Sequence, residues 1–147
     1  MYLAELLDRT GLDVLAHLDR QVDVPVIDGL QAQGDLIVVP AAMADAVRSP
    51  GGWHALPAEG AELVRGGDGT NPHTLVGSCE LTTWVMDPEG LAVAAIDNAA
   101  PVYLVHPEHG ATGIAPGRWI VRRQREAGGF RQVGMRLYQG GPVLVAD

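Results

Sequence analysis

The chain has 147 residues and a formal net charge of −8, and its length matches one domain built around one core. Hydrophobic residues make up 47% of it but aromatic residues only 5%, so the core must be mostly aliphatic. Nineteen glycines and ten prolines favour short strands and tight turns over long helices. The acidic balance argues against a generic nucleic-acid or anionic-membrane binder, and Cys79, as the only cysteine, excludes an internal disulfide and a cysteine-rich zinc site.

The organisation of the chain is predicted to be simple. No internal repeat or linker divides it, so a single domain is expected over residues 1–147, with a helical segment at 1–20 and a β-rich body at 21–147. The start has no basic region followed by an apolar run, and no stretch approaches the roughly 18 apolar residues of a membrane helix. These features predict a cytoplasmic protein without membrane contact.

An amphipathic helix is predicted over residues 2–20, because apolar side chains recur there at three- and four-residue spacing. They are Leu3, Leu6, Leu7, Val14, Leu15 and Leu18. Gly11 weakens a continuous helix by about 0.5–1 kcal/mol relative to alanine, so two short helices that meet at Thr10 and Gly11 are almost as well supported. The apolar stripe is expected to be either a lid on a sheet or a surface for a partner.

Short β-rich runs separated by turn residues follow. Turns are predicted at 87–90, where proline and glycine suit a type I turn, and at 115–117, where they suit type II. Residues 41–60 are expected to form a long connection with one helical turn at 42–47. About eight short strands with such turns predict a mainly β fold, either a small barrel or a two-sheet sandwich. The candidate strands are 22–27, 34–40, 61–65, 73–77, 79–86, 91–96, 101–106, 118–125, 130–137 and 142–146.

One segment, 106–110, places two imidazoles and a carboxylate in a short turn. In a straight strand His106 and His109 would face opposite sides, but Pro107 and Gly110 favour a turn that lets both rings converge on one ion or ligand. Glu108 lies between them, and His73 is a candidate third nitrogen donor. Such a set suits zinc, iron, nickel or manganese. The alternative is a structural turn whose rings simply form hydrogen bonds with the backbone.

A glycine-rich stretch at 66–73 ends in His73 and contains Asp68 and Asn71. Its backbone N–H groups could hold a phosphate, but the Walker A pattern is absent and the chain has no lysine, which excludes a P-loop. The alternative is a wide hairpin loop in which Asp68 or Asn71 stabilises the turn. Cys79 is expected to be a buried small hydrophobe rather than a nucleophile.

A basic strand is predicted at 118–125. Strand alternation places Trp119, Arg123 and Arg125 on one face and Arg118 and Arg122 on the other. These side chains form a candidate site for an external anion or an acidic partner, with Trp119 as a stacking platform. We expect no nucleic-acid binding, except through the basic region 118–136. The alternative is that the arginines pair with carboxylates of the protein itself.

The C-terminal part resembles a family of small β-domain proteins from bacterial and phage genomes. The resemblance covers residues 61–147 and is carried by His106, Glu108, His109 and Gly110, then by 124–126 (Gln-Arg-Glu). The family pattern has histidines at positions that correspond to His73, His106 and His109. At Asn71–Thr74, where the family often has Gly-His-x-His, this chain has Asn-Pro-His-Thr. The chain therefore departs from the pattern by one loop histidine. No activity is known to us for that family, so the resemblance implies a compact β domain.

The sequence is compatible with two functions. The first is a non-catalytic accessory or structural β domain that engages a partner protein or assembles with itself and needs no cofactor. The second is a metal-binding barrel of cupin-like build, or a metal-dependent enzyme, that holds a divalent transition metal with His73, His106 and His109. Glu108 would then be the fourth ligand or a general base. Metal analysis of protein purified without an affinity tag distinguishes the two.

Overall fold

The computed structural model describes residues 1–16, 18–64 and 72–124. Within these ranges the chain forms one α-helix, α1 (Leu3–Thr10), one 3-10 turn (Ala41–Met43) and eleven short strands. The strands are β1 (Val26–Ile27), β2 (Gln31–Gln33), β3 (Leu36–Pro40), β4 (His54–Ala55), β5 (Ala61–Val64), β6 (His73–Val76), β7 (Glu80–Thr82), β8 (Ala92–Asn98), β9 (Val102–His106), β10 (Gly110–Ile114) and β11 (Gly117–Arg123).

The strands form two sheets. The five-stranded sheet has the order β1-β10-β9-β6-β5, and the six-stranded sheet has the order β2-β3-β11-β8-β7-β4. Neighbouring strands are antiparallel, except that β1 runs parallel to β10. Neither sheet closes on itself in the described part of the chain. The mainly β prediction is therefore confirmed as a two-sheet sandwich, and the barrel alternative does not hold for these residues.

The main core lies between the inner faces of the two sheets. Alternate residues of each strand point inward, as strand geometry dictates, and both sheets contribute to one apolar cluster. As the composition predicts, the cluster is mostly aliphatic, with Trp119 as its one aromatic member among the described residues. The fully buried members include Leu36, Val38, Leu75, Ile96, Leu104, Ile114 and Val121.

The helix α1 covers the outer face of the five-stranded sheet. Its buried leucines pack with Val76 and Val105 of that sheet, which makes the apolar stripe a lid on the sheet. The helix ends at Thr10, because Gly11 takes a left-handed conformation with φ 73° and donates its N–H to the Leu7 carbonyl. The prediction of a helix reaching residue 20 was wrong for this reason, and no second helix follows in 11–16 or 18–20.

The outer face of the six-stranded sheet is covered by an irregular segment instead of a helix. Val39, Ala95 and Ile120 pack there with side chains from residues 41–53. The helical turn predicted at 42–47 is a single 3-10 turn that starts one residue earlier and ends at Met43. Short extended segments joined by turns are thus enough to cover this face.

Most predicted strands are present with ends shifted by a few residues. The prediction missed the short strands β2 and β4 and the strand β10, of which only Gly110 lay in a predicted turn. The strands predicted at 130–137 and 142–146 lie outside the described residues. Within 1–16, 18–64 and 72–124, the structure has no helix long and apolar enough to cross a membrane.

Candidate functional site

A polar cluster occupies one end of the otherwise apolar sandwich. His73 is the first residue of β6 and His106 is the last residue of β9, and both side chains are only 3% exposed. The antiparallel register pairs Thr74 with Val105, so positions 73 and 106 lie side by side at the end of the sheet. Their ring centroids are 4.5 Å apart with a 40° tilt. The fold thus places two imidazoles where the apolar core ends.

The turn between β9 and β10 adds a third ring. His109 lies with its centroid 4.5 Å from that of His106, and the chain reverses at Gly110, whose φ of 78° favours glycine. The backbone N–H of Glu108 donates to Nδ1 of His106 over 3.1 Å. Because that N–H can only donate, Nδ1 carries no proton in this arrangement, and its lone pair faces the turn. The predicted convergence of His106 and His109 is therefore present in the structure.

Residues of the opposite sheet hold His73. Gln33, at the end of β2, directs its amide nitrogen to the Leu104 carbonyl over 2.9 Å, which orients its amide oxygen toward Nδ1 of His73 at 3.0 Å. On the other side of the ring, Nε2 lies 3.0 Å from Oδ1 of Asp35. Both ring nitrogens of His73 are thus engaged across the two sheets, which fixes the plane of the ring.

The turn that links β2 to β3 also contributes Gly34, whose backbone packs against two of the rings. A Cβ at this position would lie 3.1 Å from Nε2 of His109 and 3.2 Å from Cε1 of His73. Sequence analysis missed Gln33, Gly34 and Asp35 as site residues. The signal present in the sequence was Gln31 and Gln33, two polar residues at strand spacing that both face inward.

The donor atoms of His106, Glu108 and His109 form a compact group. One ligand atom from each lies within 4.8 Å of the others; His106 is buried, and Glu108 and His109 are exposed. The group therefore opens to solvent on the side of the turn. His73 lies outside this three-residue group, and it contacts the group through the ring of His106.

The arginines of β11 pair largely with the protein itself. Arg118 contacts Asp97 over 3.1 Å and Arg122 contacts Glu89 over 2.6 Å, as the alternative interpretation of this strand expects. Arg118 also lies over the ring of Trp53, with 5.2 Å between its Cζ and the ring centroid.

Trp119 does not lie at the surface with these arginines. Its side chain is 3% exposed and its indole N–H donates to the Ala115 carbonyl over 3.0 Å, so it is a core residue with no face open for stacking. Arg123 is exposed at the end of the strand. Asp68, Asn71 and Arg125 lie outside the described residues.

A shallow apolar groove lies on the outer face of the six-stranded sheet beside these arginines. It encloses about 330 Å³ and is lined by Leu30, Ile37, Val39, Met43, Leu91, Arg122 and Arg123. Leu30 and Met43 are 57% and 64% exposed, so they present apolar surface to solvent at this groove.

Cys79 has the character predicted from the sequence. It packs partly buried against the main core, and burial, followed by the nearby charges of Glu80 and Asp97, raises the pKa of its thiol to about 11. The thiol therefore stays protonated at neutral pH, which makes it a poor nucleophile.

The family of the chain follows from a comparison with family models. The match spans residues 32–124, which is more than half of the chain and includes Gln33, Asp35 and the three histidines of the polar cluster. No curated protein and no solved structure matches the chain. The chain belongs to the family described as Domain of unknown function (DUF8820).

Proposed function

We propose that this chain binds a divalent transition-metal ion through His106, Glu108 and His109. The observation that carries the proposal is the approach of their three donor atoms to within 4.8 Å of one another. Two imidazoles and a carboxylate form a ligand set typical of zinc and non-haem iron sites, and it also suits nickel and manganese. The exposed side of the turn gives an ion a route to these atoms.

A hydrogen bond orients the ring of His106 within the group. Its Nδ1 accepts the Glu108 N–H. An ion bound to Nδ1 would have to displace this N–H, whereas an ion bound to Nε2 would leave the hydrogen bond in place. Ligand atoms around one ion lie roughly 3–3.5 Å apart, given metal–ligand bonds of about 2.0–2.2 Å, so Glu108 and His109 must move inward. Both side chains are exposed and have room to do so.

In this proposal His73 supports the site instead of binding the ion. Its two nitrogens contact Gln33 and Asp35, and its ring lies against that of His106. Metal-binding histidines are commonly held in place by such surrounding contacts. Three protein ligands leave at least one coordination position for water, which is the arrangement that metal-dependent catalysis requires.

The test is a binding titration with Zn²⁺ on protein purified without an affinity tag. We expect about one equivalent per chain with a heat signal in calorimetry, and weaker binding at lower pH because protons compete for the imidazole nitrogens. The variant His109→Ala should lose the binding. Its matched control is His54→Ala, since His54 is also an exposed histidine but lies on β4.

Two results would contradict the proposal. The first is a wild-type protein that takes up no Zn²⁺ at millimolar concentration. The second is equal loss of binding in His54→Ala and His109→Ala, which would show non-specific uptake by surface histidines. Thermal melts with and without EDTA give an independent measurement, because an ion bound only by the folded state raises the melting temperature.

The apolar groove favours a second candidate function, the accessory domain that engages a partner or assembles with itself. Leu30 and Met43 are the exposed apolar side chains that line it. If two copies associate through this groove, Met43→Glu should shift the sedimentation coefficient to that of a monomer. Val22→Glu, an exposed apolar position on the helix side of the sandwich, should leave it unchanged. A wild-type monomer at every concentration would exclude self-association.

A further inference from the structure

We propose that Gly34 is a positioning residue of the ion site, an inference that rests on the proposed function. Gly34 lies in the turn between β2 and β3, on the sheet opposite the three ligands. A Cβ there would lie 3.1 Å and 3.2 Å from Nε2 and Cδ2 of His109, and 3.2 Å from Cε1 of His73. The absence of a side chain leaves both rings room to lie against this turn without crowding.

Gly34 combines a left-handed conformation with close neighbours, and the identity of those neighbours distinguishes it: a Cβ at Gly60 or Gly77 would meet strand residues, whereas at Gly34 it would meet two imidazoles. Its φ of 57° lies in the left-handed region that glycine adopts without steric cost. Gly11 and Gly90 share that conformation, with φ 73° and 69°, but a Cβ on either would have nothing within 4 Å. At Gly34 a Cβ would crowd two imidazoles at 3.1–3.2 Å, so the rings would have to shift by a few tenths of an ångström.

The turn is anchored, so it cannot simply withdraw from a new side chain. Gln33 and Asp35 bind the nitrogens of His73 on either side of Gly34. The Asp35 carbonyl also accepts the backbone N–H of Gln124 over 2.8 Å, just after β11. Because the turn is held at these points, a methyl group at position 34 would shift the neighbouring rings by a few tenths of an ångström, chiefly the exposed ring of His109.

Displacement of these rings has a direct effect on the ligand group. His109 is itself a ligand, so movement of its ring changes its distance from His106 and Glu108. His73 contacts the ring of His106, so its movement changes the orientation of a second ligand. All three ligands belong to the β9–β10 hairpin, yet their arrangement depends on how closely the turn of the other sheet approaches them.

The experiment compares Gly34→Ala with Gly90→Ala, using Co²⁺ as a visible spectroscopic probe of the site. Both variants place alanine at a left-handed glycine, so both should lower the melting temperature of the ion-free protein, and Gly34→Ala should lower it more because its Cβ also crowds two rings. Only Gly34→Ala should weaken Co²⁺ binding, by roughly 10–100-fold as for other supporting groups of metal sites, and alter the visible absorption bands. Gly90→Ala should match the wild type in affinity and spectrum.

A second variant protects the test against poor folding of Gly34→Ala. Asparagine tolerates the left-handed conformation better than alanine and still carries a Cβ, so Gly34→Asn should show the same loss of Co²⁺ affinity with less loss of stability. Wild-type affinity and spectrum in the folded Gly34 variants would overturn the inference and leave the proposed function intact. A wild-type protein that binds no Co²⁺ would overturn both.

Discussion

The two glutamines of β2 give a quantitative test of the polar cluster. Gln31 and Gln33 are both buried and face the interior from the same strand, but they differ in their hydrogen bonds. Gln33 uses both ends of its amide, on the Leu104 carbonyl and on His73. Gln31 donates to the Gly113 carbonyl over 3.0 Å, while its amide oxygen has no partner among the described residues. Replacement by leucine keeps the approximate volume at either position.

The expected costs follow from the groups left behind. Gln33→Leu removes the partner of two buried groups, a His73 nitrogen and the Leu104 carbonyl, at about 1–3 kcal/mol each. Part of this is offset by the added apolar contact, so we expect a loss of roughly 2–5 kcal/mol. Gln31→Leu removes one donor but also removes a buried oxygen without a partner, so its expected cost is roughly 0–1 kcal/mol.

Urea unfolding of the two variants measures this difference. The free energies of unfolding should differ by about 2–4 kcal/mol, with unchanged m-values because the exposed surface is the same. Values within about 0.5 kcal/mol of each other would refute the reasoning. That result would mean that the contact between Gln33 and His73 contributes no more to stability than an ordinary packed side chain.

Two further predictions concern other parts of the fold. Cys79 should react with iodoacetamide at pH 8 about 100-fold more slowly than a thiol of ordinary pKa, because its raised pKa of about 11 leaves that much less thiolate. The reaction rate should rise toward pH 11 and when the protein is unfolded. A rate equal to that of free glutathione would contradict this prediction. Leu6→Ala should lower the free energy of unfolding by about 2–5 kcal/mol, because α1 is part of the core. Leu15→Ala, at a position that is 40% exposed, should change the thermal melt little. Equal effects of the two variants would contradict the role of the stripe as a lid.

Local patterns predicted the elements that local forces decide. The alternation of apolar and charged residues in β11 correctly separates Trp119 and Val121, which face the core, from Arg118 and Arg122, which face outward. Gly110 and its neighbours predicted the turn that brings His106 and His109 together. Both results depend on residues within a few positions of each other, where backbone geometry is decisive.

The opposite side of the site depends on contacts that no local pattern contains. Gln33 and Asp35 meet His73 across the sandwich, and this requires knowledge of which sheet each strand joins and in what register. Trp119 shows the same limit: alternation gives the face on which it lies, but only the packing of the second sheet shows that this face is buried. The helix was predicted too long because Gly11 ends it in a left-handed cap, although the apolar spacing continues beyond it.

The position of β11 in its sheet has a consequence for folding during synthesis. It pairs with β3 on one side and β8 on the other, and Trp119 lies opposite Pro40, roughly 80 residues earlier, a separation typical of slowly folding topologies. Until residues 117–123 have left the ribosome, β3 and β8 cannot be joined, and their unpaired edges are open to association with other chains. A nascent chain arrested before Gly117 should therefore depend on a chaperone, and release of β11 should be the step that makes the six-stranded sheet resistant to protease.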